Sequence, residues 1–234
     1  MANTKEHVKP LSLYEKIREE ILYLELEPGQ IISEIETSKR FHVSRTPVRD
    51  AFKRLENEGL LEIRSHIGTF VSLIDLEHIN DILYMREKLE LAVLEDLSRN
   101  INQLQEIRLD YILTKQKKLF EEELSEKQLA KEFILADNEY HKTIFELAGR
   151  SNIWNYLCSI EHHYERLRMF LNLTQKEILY DLYEEHVQIL NHILQNNMEG
   201  LHKLFSHHLY GGIQRGNQKV FENPDYFTNL TFPG

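Results

Sequence analysis

The sequence predicts a mainly α-helical protein in two parts: three helices and a β-hairpin over residues 1–74, then an antiparallel bundle of about six helices over residues 75–234. Three observations carry that expectation. Apolar residues recur at helical spacing along most of the chain. The one stretch of short strands between turn residues lies at Leu60–Leu73. The acidity is also uneven: residues 1–74 hold 11 Lys/Arg against 12 Asp/Glu, and residues 75–234 hold 17 against 26, so most of the formal charge of −10 sits in the second part. At 28% charged and 41% hydrophobic residues the composition is that of a soluble protein, and the apolar runs are too short for a membrane span. MANTKEHVKP lacks the apolar core of a signal peptide, and a single cysteine, Cys158, suits a reducing compartment, so a cytoplasmic location is expected.

In the first part, Leu13, Ile17, Ile21 and Leu24 mark a helix over Leu11–Leu26 that ends at Pro28-Gly29. A short second helix fits Ser33–Phe41. Ser44 is a candidate N-cap for the third, with Pro47 in its first turn, where a missing N–H costs nothing. Val48, Ala51, Phe52 and Leu55 form its apolar stripe, and Arg45, Thr46, Arg49 and Lys53 lie on the other side. Glu58-Gly59 closes the helix. Strands at Leu60–Ile63 and Thr69–Leu73 follow, joined through Arg64-Ser65-His66-Ile67-Gly68.

Three helices followed by a hairpin is the order of a winged helix-turn-helix. Such a third helix presents its first residues to the major groove, where Arg pairs bidentately with guanine. Ser44 and Thr46 suit phosphate oxygens, and the tip with His66 and Gly68 suits the minor groove or the backbone. A small helical domain with a solvated basic face, used for protein binding, is the plainer alternative on pattern alone.

The run PGQIISEIETSKRFHVSRTPVRDAFKRLENEGLLEIRSHIGTFV resembles the DNA-binding domain of the GntR family, in particular its FadR-like branch. The resemblance covers about 60 residues with almost no gap and rests chiefly on Pro28-Gly29, Ser44–Arg49, Glu58-Gly59-Leu60 and Gly68–Val71. It implies double-stranded operator DNA as partner, contacts from Arg45, Thr46 and Arg49, and a wing tip whose close approach Gly68 permits. One departure is Ile35, where the family often has an arginine.

Beyond Asp75, helices are expected at 76–99, 101–123, 127–149, 151–172, 174–196 and 198–215, with no useful strand alternation. The tail from Asn217 is expected to pack loosely, and Gly211-Gly212 leaves the end of the last helix open. Ionisable residues interrupt the core stripes. Asp137 and His141, four apart and so on one face, stand between Phe133-Ile134 and Ile144; His186 follows Leu179 and Leu182; His208 follows Leu204-Phe205. Taken singly, each histidine reads as a core residue bonded to a neighbour. Taken together, a carboxylate and three imidazoles at core positions are costly to bury unless paired, and one divalent cation would satisfy all four.

The pieces LADNEYH (135–141), Glu185-His186 and His208-Leu209 resemble the FCD domain, the effector domain that follows the winged helix in the FadR-like branch. The resemblance covers residues 76–215 and implies a divalent metal on Asp137, His141, His186 and His208. Zinc is the default ion, with nickel, manganese or iron also fitting the donor set. Tyr140 stands where phenylalanine is usual. Arg86 interrupts the stripe Ile79, Ile82, Leu83, Leu89, Val93; its alternatives are a salt bridge to a bundle glutamate or, as the resemblance implies, contact with a small carboxylate effector. Tyr164, Arg166 and Arg168 are further candidates for that cavity. The expected protein is thus a homodimeric transcription regulator, a repressor in the family's commoner sense, whose operator affinity the effector controls. The rival is a metal-dependent hydrolase fused to a DNA-binding domain.

Overall fold

The computed structural model of the chain describes residues 12–172 and 176–230. The expected helix start at Leu11, the first residues of the 174–196 helix and the last four residues of the tail lie outside them. The chain divides into two units, Met1–Leu73 and Ile74–Gly234.

In the first unit, helix α1 (Leu13–Leu22) begins at a capping box, in which Ser12 and Glu15 each bond the other's backbone N–H. It is followed by strand β1 (Ile31–Ile32), helix α2 (Glu34–Arg40), helix α3 (Arg45–Asn57) and strands β2 (Leu61–Arg64) and β3 (Gly68–Val71). The expected hairpin is therefore part of a three-stranded antiparallel sheet in the order β1-β3-β2. Ile31 and Ile32 form too short a run to signal a strand, and they become one by pairing with Phe70 and Thr69. The α3 stripe of Val48, Ala51, Phe52 and Leu55 is buried against Ile17, Ile21 and Leu60. Each such side chain contributes about 1.5–3 kcal/mol on leaving water.

The second unit contains seven helices among its described residues: α4 (Leu76–Asn100), α5 (Gln103–Leu119), α6 (Glu126–Leu147), α7 (Ser151–Ile160), α8 (His162–Asn172), α9 (Lys176–Leu194) and α10 (Met198–Glu222). The single helix expected over 151–172 is two. The break falls at Glu161, whose φ of −92° and ψ of 12° leave the helical range. No glycine or proline marks it, and the Glu161 carboxylate is buried 3.7 Å from the Arg86 guanidinium.

The end of the chain also departs from expectation. Helix α10 runs to Glu222 rather than 215. After a turn of 3-10 helix at Pro224–Tyr226, strand β5 (Phe227–Thr228) pairs in parallel with strand β4 (Ile74–Asp75). These two strands are too short to show alternation. Asn229 donates to Asp75 at 3.0 Å, and the buried Phe227 ring packs edge-on against Phe170, so the described tail is held in place. Glycine within α10 has a packing reason: a Cβ on Gly216 would stand 2.3 Å from a methyl of Leu171 on α8.

Candidate metal centre and DNA-contact surface

Asp137 and His141 on α6, His186 on α9 and His208 on α10 bring four ligand atoms within 4.8 Å of one another, and all four residues are buried. His186 Nε2 lies 3.2 Å from His208 Nε2, and His208 Nε2 lies 3.4 Å from His141 Nε2. Asp137 Oδ1 is 3.4 Å from His186 Nε2 and 3.9 Å from that of His141.

The far side of each imidazole decides what these atoms carry. His141 Nδ1 meets Glu90 at 2.6 Å, and His208 Nδ1 meets Glu185 at 2.8 Å. Carboxylates only accept, so both Nδ1 atoms donate. His186 Nδ1 meets Gln116 Oε1 at 3.0 Å, and the Gln116 amide nitrogen already donates to the Ala136 carbonyl. That oxygen accepts as well, and His186 Nδ1 donates. In the neutral rings, every Nε2 then carries a lone pair, and three lone pairs point at one another. Two adjacent acceptors at this distance repel unless a cation lies between them. Four donors around one ion at tetrahedral angles, with bonds of about 2.0–2.1 Å, stand roughly 3.4 Å apart. The donor set and its spacing fit a divalent metal.

Electrostatics agree. Burial pushes His186 down to about 3, which leaves it neutral and able to ligate. Burial would raise the Glu90 carboxyl, but Arg86 and His141 outweigh it and hold it at about 2. Burial opposes ionisation of Asp137 too, and Arg168 with His186 brings its carboxyl well below the usual range. Arg168 donates to Asp137 Oδ2 and, at 2.7 Å, to Asn138, which leaves Oδ1 turned to the imidazoles. Tyr140 stacks on His186 with ring centroids 4.3 Å apart and donates its hydroxyl to the His186 carbonyl at 3.1 Å.

A small cavity adjoins the cluster. It is lined by Asp137, His141 and His208, by Arg86, Tyr164 and Arg168, and by the apolar Leu182, Leu209 and Ile213. A Cβ on Gly212 would meet nothing within 4 Å, so this lining glycine preserves space. Arg86 makes the salt bridge to a bundle glutamate and also lines the cavity. Its Nε donates to Glu90 at 2.5 Å, while its buried Nη2 has no hydrogen-bond partner. The Arg168 Nε is in the same condition. Arg166 does not line the cavity; its guanidinium turns to His163, on the same helix, at 3.5 Å. His163 is no ligand either, and accepts from the Asp75 backbone N–H at 3.1 Å. His207 is exposed, beside Glu185.

Of Glu90, Gln116 and Glu185, which orient the three imidazoles, only Glu185 figures in the sequence reading, as part of the piece that resembles the FCD domain. Glu90 had a signal, since it falls four residues after Arg86 on one face of α4. Gln116 had none, because its partner lies 70 positions away.

In the first unit, Arg45, Thr46, Arg49 and Lys53 are all exposed along α3. Ser44 occupies the N-cap position but makes no side-chain capping bond. The expected capping hydrogen bond is absent, and the residue is exposed. Arg49 is held in a fork by Glu34 of α2, with Nε to Oε1 at 3.2 Å and Nη2 to Oε2 at 3.0 Å. At the wing tip His66 is exposed with φ 60°, and Gly68 takes φ 153°. Gly68 is required by that backbone angle, not by crowding, since an added Cβ would find ordinary contacts.

Residues 10–71 match the family described as bacterial regulatory proteins, gntR family, and residues 81–211 match the FCD domain. The chain is a gntR-family transcription regulator with an FCD domain. A relative from Streptomyces ambofaciens, an HTH-type transcriptional regulator in an unstable DNA locus, is 32% identical over 72% of this chain and 68% of its own length. The HTH-type transcriptional repressor RspR of Escherichia coli K12 is 28% identical over 92% of each chain. Among solved structures, E. coli McbR/YncC shares the fold with a TM-score of 0.63 at 18% identity, covering 90% of this chain and 99% of that one. Family and relatives are transcription regulators, so the hydrolase alternative finds no support. No described helix is long and apolar enough to cross a membrane.

Proposed function

We propose that this regulator is a cytoplasmic, homodimeric repressor that binds palindromic operator DNA, and that a small carboxylate effector controls it through a metal-containing pocket. The observation that carries the metal reading is the set of three Nε2 lone pairs and one carboxylate oxygen converging, with each Nδ1 tied to a fixed acceptor. Asp137, His141, His186 and His208 would hold the ion. Zinc suits the near-tetrahedral spacing, with nickel, manganese and iron as alternatives. A bound ion would supply positive charge at the cavity wall.

The chain's own residues do the rest. The unpartnered N–H groups of Arg86 and Arg168 are placed to take a carboxylate, and Tyr164 lies beneath both guanidinium groups, 5.2 Å and 4.9 Å from their centres. Leu182, Leu209 and Ile213 add apolar lining, and a less polar surrounding strengthens those contacts. Helix α8 carries Tyr164 and Arg168 towards the cavity and also His163, which holds the Asp75 N–H where the second unit begins. A ligand that draws on Arg168 thereby acts on the first residues after the DNA-binding unit, and its differential affinity for two states of α8 sets the coupling.

For DNA, Ser44, Arg45, Thr46 and Arg49 contact the major groove and its phosphates, and His66 and Gly68 approach at the wing. A homodimer sets two recognition helices about one helical turn apart. The repressor sense is supported by the name of RspR.

The deciding experiment is elemental analysis of the purified protein and of a His186→Ala/His208→Ala double variant. About one metal per chain, absent from the variant, is the expected result. A wild-type protein that stays metal-free after incubation with zinc or nickel overturns the metal reading and leaves Arg86 and Arg168 as the ligand determinants.

A further inference from the structure

Glu34 is an acid on the basic face of the first unit. It is the first residue of α2, behind Ser33, whose hydroxyl accepts from the Ile35 N–H at 3.2 Å. From there its carboxylate reaches Arg49 on α3, near Arg45 and Lys53 in sequence, and the pair is partly exposed. Facing a polyanion, a carboxylate at this position opposes binding. As a surface ion pair it adds little stability. Its neighbour Ile35 is exposed and offers no donor.

The geometry of the fork indicates what Glu34 does. It engages Nε and Nη2 of Arg49, the side edge of the guanidinium, at 3.2 Å and 3.0 Å. The end edge, made of Nη1 and the outward hydrogen of Nη2, keeps the paired donors that match guanine O6 and N7. A guanidinium fixed in plane can read a base. One on a freely rotating stem settles on the nearest phosphate, which carries no sequence information.

We propose that Glu34 is a specificity-determining residue: by clamping Arg49 it aims the free edge at a base and gives up non-specific affinity in exchange for discrimination. This rests on the reading that Arg49 enters the major groove.

The test is selection from a randomised duplex library with the full-length wild-type protein, Glu34→Gln and Arg49→Lys, followed by titrations on the enriched duplex and a shuffled one. Glu34→Gln keeps the shape and removes the charge, and Arg49→Lys keeps the charge and removes the fork. The expected result for Glu34→Gln is tighter binding to shuffled DNA, a steeper salt dependence, and an enriched-to-shuffled affinity ratio lower by about tenfold. The lost preference should fall on one base pair per half-site, the same one lost in Arg49→Lys. An unchanged ratio and motif in Glu34→Gln overturns the proposal. So does a parallel loss of binding to both duplexes with a lowered melting temperature, which would make Glu34 a structural residue of α2. If Arg49→Lys retains full discrimination while the wild type selects a motif, the groove assignment of Arg49 fails and Glu34 falls with it. If the wild type enriches no duplex at all, the DNA-binding reading itself fails.

Discussion

Arg86 and His141 are joined through one buried carboxylate: Glu90 accepts from Arg86 Nε at 2.5 Å with one oxygen and from His141 Nδ1 at 2.6 Å with the other. A cavity arginine and a candidate metal ligand therefore share a charge. Glu90→Gln keeps an acceptor for only one of them, and its expected effect is a metal affinity lower by about 10–100-fold with the fold intact, measured by chelator competition. Glu90→Ala leaves the Arg86 cation without its main partner and is expected to cost about 3–5 kcal/mol in urea unfolding. Equal metal affinity in Glu90→Gln and wild type would remove Glu90 from the centre.

Gly212 offers a test of the cavity that spares the metal cluster. A leucine there has open space ahead of it and fills the ligand volume. The expected outcome for Gly212→Leu is unchanged metal content and an unchanged or higher melting temperature, since glycine inside a helix costs up to about 1 kcal/mol relative to good helix formers. Any melting shift that small carboxylates give the wild type should disappear. A variant that still responds to them would place the ligand elsewhere.

Acid sensitivity follows from two buried histidines. Burial holds His186 at about 3 and, together with Arg166, holds His163 at about 2, against about 6.5 for an unfolded histidine. Below about 6.5 the unfolded chain binds protons that the folded one does not, so stability falls as pH falls and the loss continues down to the folded values. Each histidine removes at most about 1.4 kcal/mol per pH unit in that window. Urea midpoints of metal-free protein should be flat above about pH 7 and decline below. His163→Gln, which retains an acceptor for the Asp75 N–H, should flatten the slope; an unchanged slope would mean that His163 is already protonated in the folded state.

The tail bears on the start of α4. Phe227 is buried against Phe170, and its strand pairs with Ile74–Asp75, so Phe227→Ala is expected to cost about 3–4 kcal/mol. Ending the chain after Asn223 should lower the melting temperature by a similar free energy. A truncated protein as stable as the full one would show that β5 contributes nothing.

Several features of this architecture were legible early because they are local. The α3 stripe of Val48, Ala51, Phe52 and Leu55 and the exposed row of Arg45, Thr46 and Arg49 follow from a period of 3.6 residues. Asp137 and His141 were visible as a pair because four residues bring a helix back to the same face. His186 and His208 were visible as polar interruptions of apolar stripes. Their joining to that pair followed from the cost of burying four such groups and from the resemblance to the FCD domain. The break at Glu161 had no local signal, since it forms where a buried carboxylate lies near Arg86 of another helix.

The order of elements, their buried faces and the residue types set at core positions are all functions of spacing along one chain. Tertiary structure decided which nitrogen of each imidazole is free, because that depends on Glu90, Gln116 and Glu185 reaching the far side of each ring from 51, 70 and 23 positions away. It also decided that Arg166 turns away from the cavity while Arg168 faces it, that β5 closes on β4, and that Glu34 clamps Arg49. These are pairings between distant segments, and only packing brings such segments within hydrogen-bond reach.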